Sequence, residues 1–370
     1  MSARLRLCFY GWSSHIHVRR WVEAFVERGH DVSVISVGKD TMPIQGARVV
    51  PLRSRRHNFV LQSLEFRALL KWLRPDVVHA HWAPLGYLPA ICGTRPLVVS
   101  AWGSDVYMRH EADAESVAML TTGLQAADLV TCDSKDLARE ITTLGVAPGN
   151  VRVVQWGVDL SLFAPDPAGA AALRTSLGIP DNALVLFSPR HFAPIYDIES
   201  IVRAIPLVRR TQPNVVFILK DYRGTAEYRQ HLRELATSLG VDDVVRWVFE
   251  VGYGELPAYY SLAAATISVP VTDATPMSVL EAAACGSVPI VSDLPSLREW
   301  ITPGHNGFIV PKQDPESLAA AILRLSAGDS TSMREANVRL VRDEADHAAH
   351  MAAMEQLYAS LASSGRTSAA

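Results

Sequence analysis

Cysteine is scarce in this chain. Cys8, Cys92, Cys132 and Cys285 are its four thiols, widely separated and without a CxxC pair. That spacing argues against a disulfide frame or a zinc ribbon and fits buried thiols in a reducing compartment. Long apolar runs are lacking as well: none reaches the roughly 20 residues that span a bilayer, so no transmembrane segment is expected. The apolar stretch after Met1-Ser2-Ala3-Arg4 is too short for the core of a signal peptide and reads as a buried strand. A dominant charge is also missing. The net charge of −3 gives no general reason to expect nucleic acid or an anionic membrane as partner. One local basic loop, Arg53, Arg55, Arg56 and His57, could meet an anionic acceptor or the surface of a membrane, with a solvated loop as the other reading. The expected location is the cytoplasm.

What the chain does have is the balance of a globular protein: 49% hydrophobic and 20% charged over 370 residues, enough for two domains. Short apolar runs alternate with longer amphipathic segments. Leu5–Tyr10, Val32–Val37, Val77–Ala80, Leu97–Ala101, Leu129–Cys132 and Val151–Val154 mark the first half; Leu184–Phe187, Val215–Leu219, Val244–Val248, Thr266–Val269 and Val288–Val291 mark the second. Strands apolar on both faces imply parallel sheets covered on both sides by helices. The fold class expected is therefore α/β, as two doubly wound Rossmann-like domains facing across a cleft. The expected boundaries are 1–163 for a first domain, 164–180 for a linker and 181–342 for a second domain. A C-terminal helix over 343–370 would pack back towards the first domain, its stripe Met351, Met354, Leu357 and Leu361 and its end from Ser363 frayed.

The segment Asp273-Ala274-Thr275-Pro276-Met277-Ser278-Val279-Leu280-Glu281 follows a strand and opens a helix. Thr275 suits the cap, Pro276 the first position and Gly286 the end. Free amides at Met277, Ser278 and Val279 would form an anion site fit for a diphosphate. Glu281 could accept two hydrogen bonds from a ribose diol, and Asp273 could touch the hydroxyls of a bound sugar. An ordinary capped helix with two exposed acids is the bland alternative.

This segment resembles the Glu-x7-Glu signature of the retaining glycosyltransferases of family GT4, which have the GT-B fold; Asp273 stands in place of the first Glu. The run Gly286–Asp293, Glu299 with Gly304–Pro311, Trp156-Gly157-Val158-Asp159 with Phe163, and Arg28–Val32 extend the likeness over nearly the whole chain. The resemblance implies transfer of a sugar from a nucleoside-diphosphate sugar to an acceptor hydroxyl, with retention and with no cofactor or metal. It implies that Arg190 neutralises the leaving diphosphate. A Lys usual six residues later is here Tyr196, which can donate a hydrogen bond but brings no charge. Lys220, ending the next strand, is expected to supply that charge; a solvated loop lysine is the alternative. Trp102 stands where the family commonly has a His against the donor sugar, and its indole could pack a sugar face.

Base selection is expected around Val251. The turn with Gly11 and Trp12 is expected near the diphosphate. His15, His17, His81 and Asp105 are expected on the acceptor side, with local turn formation an alternative for Asp105. The strand pair His79 and His81 has metal-ligand spacing but no third ligand in view, which favours structural histidines. A small molecule or glycan would be the acceptor. Three other readings remain: a sugar-nucleotide epimerase, for which no matched acid/base pair is seen; a nicotinamide dehydrogenase, for which GxGxxG is absent; and a non-catalytic sugar-nucleotide-binding relative.

Overall fold

The computed structural model describes residues 4–54 and 58–367. Arg55, Arg56 and His57 of the basic loop lie outside the described residues. The chain divides into two compact units, Met1–Trp156 with Ala348–Ala370, and Gly157–His347.

The first unit starts with β1 (Arg6–Gly11), α1 (Ile16–Glu27), β2 (Asp31–Ser36), β3 (Arg48–Pro51), α2 (Phe59–Leu73) and β4 (Val77–His81). It continues with α3 (Tyr87–Ile91), β5 (Leu97–Ser100), α4 (Ser104–Tyr107), α5 (Ala114–Ala126), β6 (Leu129–Cys132), α6 (Lys135–Thr143) and β7 (Val151–Val153). All its strand pairs are parallel, in the order β3-β2-β1-β4-β5-β6-β7. Every residue of β4 and β5 is buried, the mark of strands covered on both faces. The order reverses at β1, which pairs with both β2 and β4, so ligands are expected beyond the carboxyl ends of β1 and β4.

The second unit repeats the plan. It holds α7 (Pro167–Ser176), β8 (Leu184–Ser188), α8 (Ile198–Arg209), β9 (Val215–Asp221), α9 (Ala226–Ser238), β10 (Val245–Phe249) and α10 (Leu256–Leu262). Then come β11 (Ala265–Ser268), α11 (Met277–Ala284), β12 (Val288–Ser292), β13 (Phe308–Val310), α12 (Pro315–Ala327) and α13 (Thr331–Glu344). The parallel order is β10-β9-β8-β11-β12-β13, with the reversal at β8 between β9 and β11. One apolar cluster packs α8, α9 and α12 on the sheet; another packs α10 and α11 on it.

Three sequence expectations about organisation need correction. The division falls at Trp156/Gly157, not at 163, and 164–180 is no bare linker. It contains α7, with Pro167 in its first turn and Asp166 accepting from the Gly169 amide at 2.9 Å. Alanine-rich and without an apolar stripe, α7 left no periodic signal although alanine favours helix. The last helix, α14 (His347–Thr367), stays helical through Ser363–Thr367. Among its described side chains, Met351, Met354, Tyr358 and Ala362 are buried, and Leu357 and Leu361 are not. Within the first unit the Tyr358 hydroxyl meets His79 Nδ1 at 2.5 Å and its ring lies 5.0 Å from Phe25, while Glu355 approaches His30 at 3.2 Å. A tyrosine with a buried polar partner displaces the leucines that hydrophobicity alone would turn inward.

Candidate donor and acceptor sites

In the second unit, the loop after β8 carries Arg190 and the loop after β11 carries Asp273, so the reversal of strand order brings together residues 83 positions apart. Arg190 Nη2 donates to Asp273 Oδ2 at 2.7 Å and Nη1 to Ser278 Oγ at 3.2 Å. The Tyr196 ring lies beneath the guanidinium, 4.0 Å from Cζ. Tyr196 thus supports the neighbouring cation. Burial raises the Asp273 pKa while Arg190 opposes the shift. Its other oxygen, Oδ1, accepts from the Ala274 amide at 3.0 Å, so both carboxylate oxygens are engaged.

Helix α11 begins one residue later than the sequence suggests. Pro276, with φ −71° and ψ 114°, takes the cap position and brings no side-chain acceptor. Thr275 is not the cap; its Oγ1 accepts from Trp300 Nε1 at 3.2 Å. Val279 donates its amide to the Pro276 carbonyl at 2.9 Å, which removes it from the expected set of free donors. Met277 and Ser278, at the first two helical positions, keep amides that the helix itself cannot satisfy. Gly286, at φ +78°, follows the helix as expected of a left-handed stop.

Glu281 is buried one turn down. Its Oε1 accepts from Tyr253 at 2.8 Å and its Oε2 from Tyr260 at 3.1 Å. Lys220 is also buried; burial lowers its pKa while Glu281 and Asp221 oppose that shift, and the Arg190 charge acts on it as well. Its ammonium sits 4.7 Å from the Tyr222 ring. Val251 is half-buried against the cluster under α10 and α11. His191 went unnoticed in the sequence. It packs on Tyr196 and Tyr222, and its pKa is pushed down to about 4 by burial and by Arg190, Arg223 and Lys220, with Asp221 opposing. Burial is the larger cause, but the three cations around this histidine make the local field positive, which is what a diphosphate requires.

The first unit gathers aromatic rings at the carboxyl ends of its central strands. Gly11 ends β1 and Trp12 follows it; Trp82 follows β4; Trp102 follows β5. Trp102 is the hub, with ring centroids 4.7 Å from His15, 5.4 Å from His17, 5.5 Å from Trp82, 5.6 Å from Trp156 and 6.4 Å from Trp12. Trp82 carried no signal and Trp156 only a likeness to the family, because loops after separate strands deliver them to the hub. His15 caps α1 by accepting from the His17 amide at 3.3 Å.

Two acceptor-side assignments are corrected. Asp105 is buried and fully used: it accepts from the Ala83, Trp102 and Gly103 amides at 2.8–3.1 Å, which makes it the turn former for the Trp102 loop. Burial pushes its pKa up to about 6, against the hydrogen bonds from those three amides. His81 is 0% exposed between Phe9, Trp21 and His79, and burial holds its pKa at about 3. A sealed neutral ring packs; it does not meet an acceptor. Neighbouring His79 is structural in the same sense. Tyr358 engages its Nδ1, and its Nε2 lies 2.7 Å from Ser100 Oγ. Among the described residues, no group of three His, Cys, Asp or Glu side chains is placed to hold a metal.

Two parallel α/β units, each with its polar loops beyond the carboxyl ends of the central strands, are the make-up of the GT-B fold. Sucrose-phosphate synthase from Thermosynechococcus elongatus superposes with a TM-score of 0.85 at 20% identity, covering 97% of this chain and 99% of that one. Anabaena HepE in complex with UDP and glucose superposes with a TM-score of 0.82 at 17% identity, over 97% and 100% of the two chains. The family models then name the group: Glycosyltransferase Family 4 matches residues 14–162 and Glycosyl transferases group 1 matches residues 170–339. The chain belongs to this family of group 1 glycosyltransferases. The D-inositol 3-phosphate glycosyltransferase of Kribbella flavida is 31% identical over 216 residues, 56% of this chain and 50% of that protein. That of Kineococcus radiotolerans is 31% identical over 277 residues, 68% of this chain and 63% of that protein. The chain thus spans between half and two thirds of the length of these curated relatives.

Proposed function

We propose that the protein transfers a sugar from a nucleoside-diphosphate sugar to an acceptor hydroxyl with retention of configuration. The observation that carries this reading is the group around the start of α11: Arg190, Lys220, the Met277 and Ser278 amides, and buried Glu281. Helix amides and two cations suit a leaving diphosphate, whose negative charge grows in the transition state. Glu281, already accepting two phenol hydrogen bonds, is set to take a ribose diol instead. Asp273 has both oxygens engaged and is poorly placed as a nucleophile, which favours a route in which the acceptor attacks the donor's own face and the departing phosphate takes its proton. No metal or cofactor enters this scheme. Uridine diphosphate is the first nucleotide to test, given the UDP in the HepE complex, and D-inositol 3-phosphate is the first acceptor, given the relatives' name. The rings around Trp102 are the proposed acceptor floor.

We place the protein in the cytoplasm on its free cysteines, of which buried Cys8 and Cys285 are pushed up to about 12 by burial and stay protonated, unreactive thiols. No helix among the described residues is long and apolar enough to cross a membrane. The test is a thermal-shift screen against UDP-, GDP-, TDP- and ADP-sugars, followed by mass spectrometry of products with candidate acceptors. A new glycoside bears the proposal out. Stabilisation by one donor without product would leave a binding protein that has lost catalysis.

A further inference from the structure

Helix α2 presents apolar side chains to solvent as well as to the rest of its unit. Of its fifteen residues, all described, Gln62 and Phe66 are buried, while Val60, Leu61, Leu64 and Trp72 are 72%, 53%, 62% and 57% exposed. A helix that only had to cover the sheet would turn those apolar side chains inward and leave glutamine in water. Val60, Leu64, Arg67 and Lys71 recur at i, i+4, i+7 and i+11, so apolar and cationic groups share one outward stripe. Leu61 and Trp72 flank it, and exposed Ile91 adjoins through its carbonyl, which accepts from Arg67 at 3.3 Å.

Among the described residues, positive charge predominates on this face. Arg67, Lys71, Arg74 and Arg95 line a shallow hollow of about 350 Å³ beside the helix, and Arg48 lies 5.2 Å from the Trp72 ring. Arg95 pairs with Asp128. The helix's own carboxylate, Glu65, is occupied by the Arg53 and Ser54 amides at 2.9 and 2.8 Å. A symmetric pairing of two copies through this stripe would set like charges against each other. Apolar side chains to enter an acyl boundary, with cations around them to meet headgroups, instead complement an anionic bilayer.

We propose that α2 rests on an anionic lipid surface, with Val60, Leu61, Leu64 and Trp72 entering the interface and Arg67, Lys71 and Arg74 meeting the headgroups. This places the enzyme on a membrane without spanning it and is independent of the donor site. The test is co-sedimentation of the full chain with phosphatidylcholine vesicles, with and without phosphatidylglycerol. Binding is expected to the anionic vesicles and to fade with salt. Replacing Arg67, Lys71 and Arg74 together by Gln should weaken it roughly a hundredfold, at about fivefold per cation. Leu64→Ser should weaken it with an unchanged melting temperature, since the side chain is exposed. Brominated lipid should quench the parent more than Trp72→Phe. Absence of binding, equal binding to neutral vesicles, or a dimer that Leu64→Ser dissociates would overturn the proposal. Nucleotide affinity, measured alongside, should not change in any of these variants.

Discussion

Removing the Arg190 guanidinium would strip a charge, a fork of donors and the partner of Asp273 from one place. Arg190→Ala should lower turnover at saturating donor by roughly 10²–10³-fold, the range for loss of one preorganised transition-state donor. Steady-state kinetics with the melting temperature as control checks this. Lys220 tests a narrower point. Tyr196 supplies no charge where the family has a lysine, and Lys220 is near enough to Arg190 and Glu281 for their charges to act on its pKa. Lys220→Met should weaken nucleoside-diphosphate binding about tenfold, the value of one charge-assisted contact. An unaltered dissociation constant would return Lys220 to a structural role.

At the scale of the element, the start of α11 matters more than its side chains. Met277→Pro removes one amide hydrogen at the first helical position, where proline is well accepted, and Pro276 already has the extended backbone that precedes a proline. Donor affinity should fall between roughly tenfold and a hundredfold, the cost of one hydrogen bond to a charged group, while circular dichroism stays the same. Helix α14 makes a different prediction. Tyr358→Phe leaves His79 Nδ1 buried without its hydroxyl partner, which should cost about 1–2 kcal/mol in urea unfolding.

These elements also show what could be read in advance. The long buried strands declared themselves because a parallel sheet with two covered faces writes continuous apolar runs. Edge strands β3 and β13 were not read: no residue of β3 is fully buried, and β13 is a three-residue run in which only Phe308 and Val310 are buried. The x7 spacing from Asp273 to Glu281 was visible because it lies on one loop and one helix. The Arg190–Asp273 pair, the tyrosines on Glu281 and the Trp102 hub were not, since each depends on loops that only the strand order brings together.

For the whole molecule, acid should be more damaging than the net charge suggests. Burial holds His81 down at about 3 in the folded chain, against an ordinary 6.5, and lowers His79 in the same direction. The unfolded chain therefore takes up these protons first. Stability is lost as pH falls from 6.5 towards 3, at about 1.4 kcal/mol per unit for His81. Asp105, pushed up to about 6, acts oppositely, because its folded-state penalty is relieved as pH falls. Comparison with His81→Phe isolates the histidine: the variant should gain roughly 2 kcal/mol on the parent between pH 6.5 and 5. A difference that does not change with pH would mean that the ring is not sealed.

The proposed transfer depends on a nucleoside diphosphate held between Arg190, the start of α11 and Glu281. Calorimetric titration of UDP, GDP, TDP and ADP into the parent, Arg190→Ala and Glu281→Gln tests it most directly. The prediction is saturable one-to-one binding of at least one of these nucleotides, weakened tenfold or more in both variants, by analogy with the loss of one charge-assisted contact. Binding of none of the four, or equal binding to all three proteins, would contradict it.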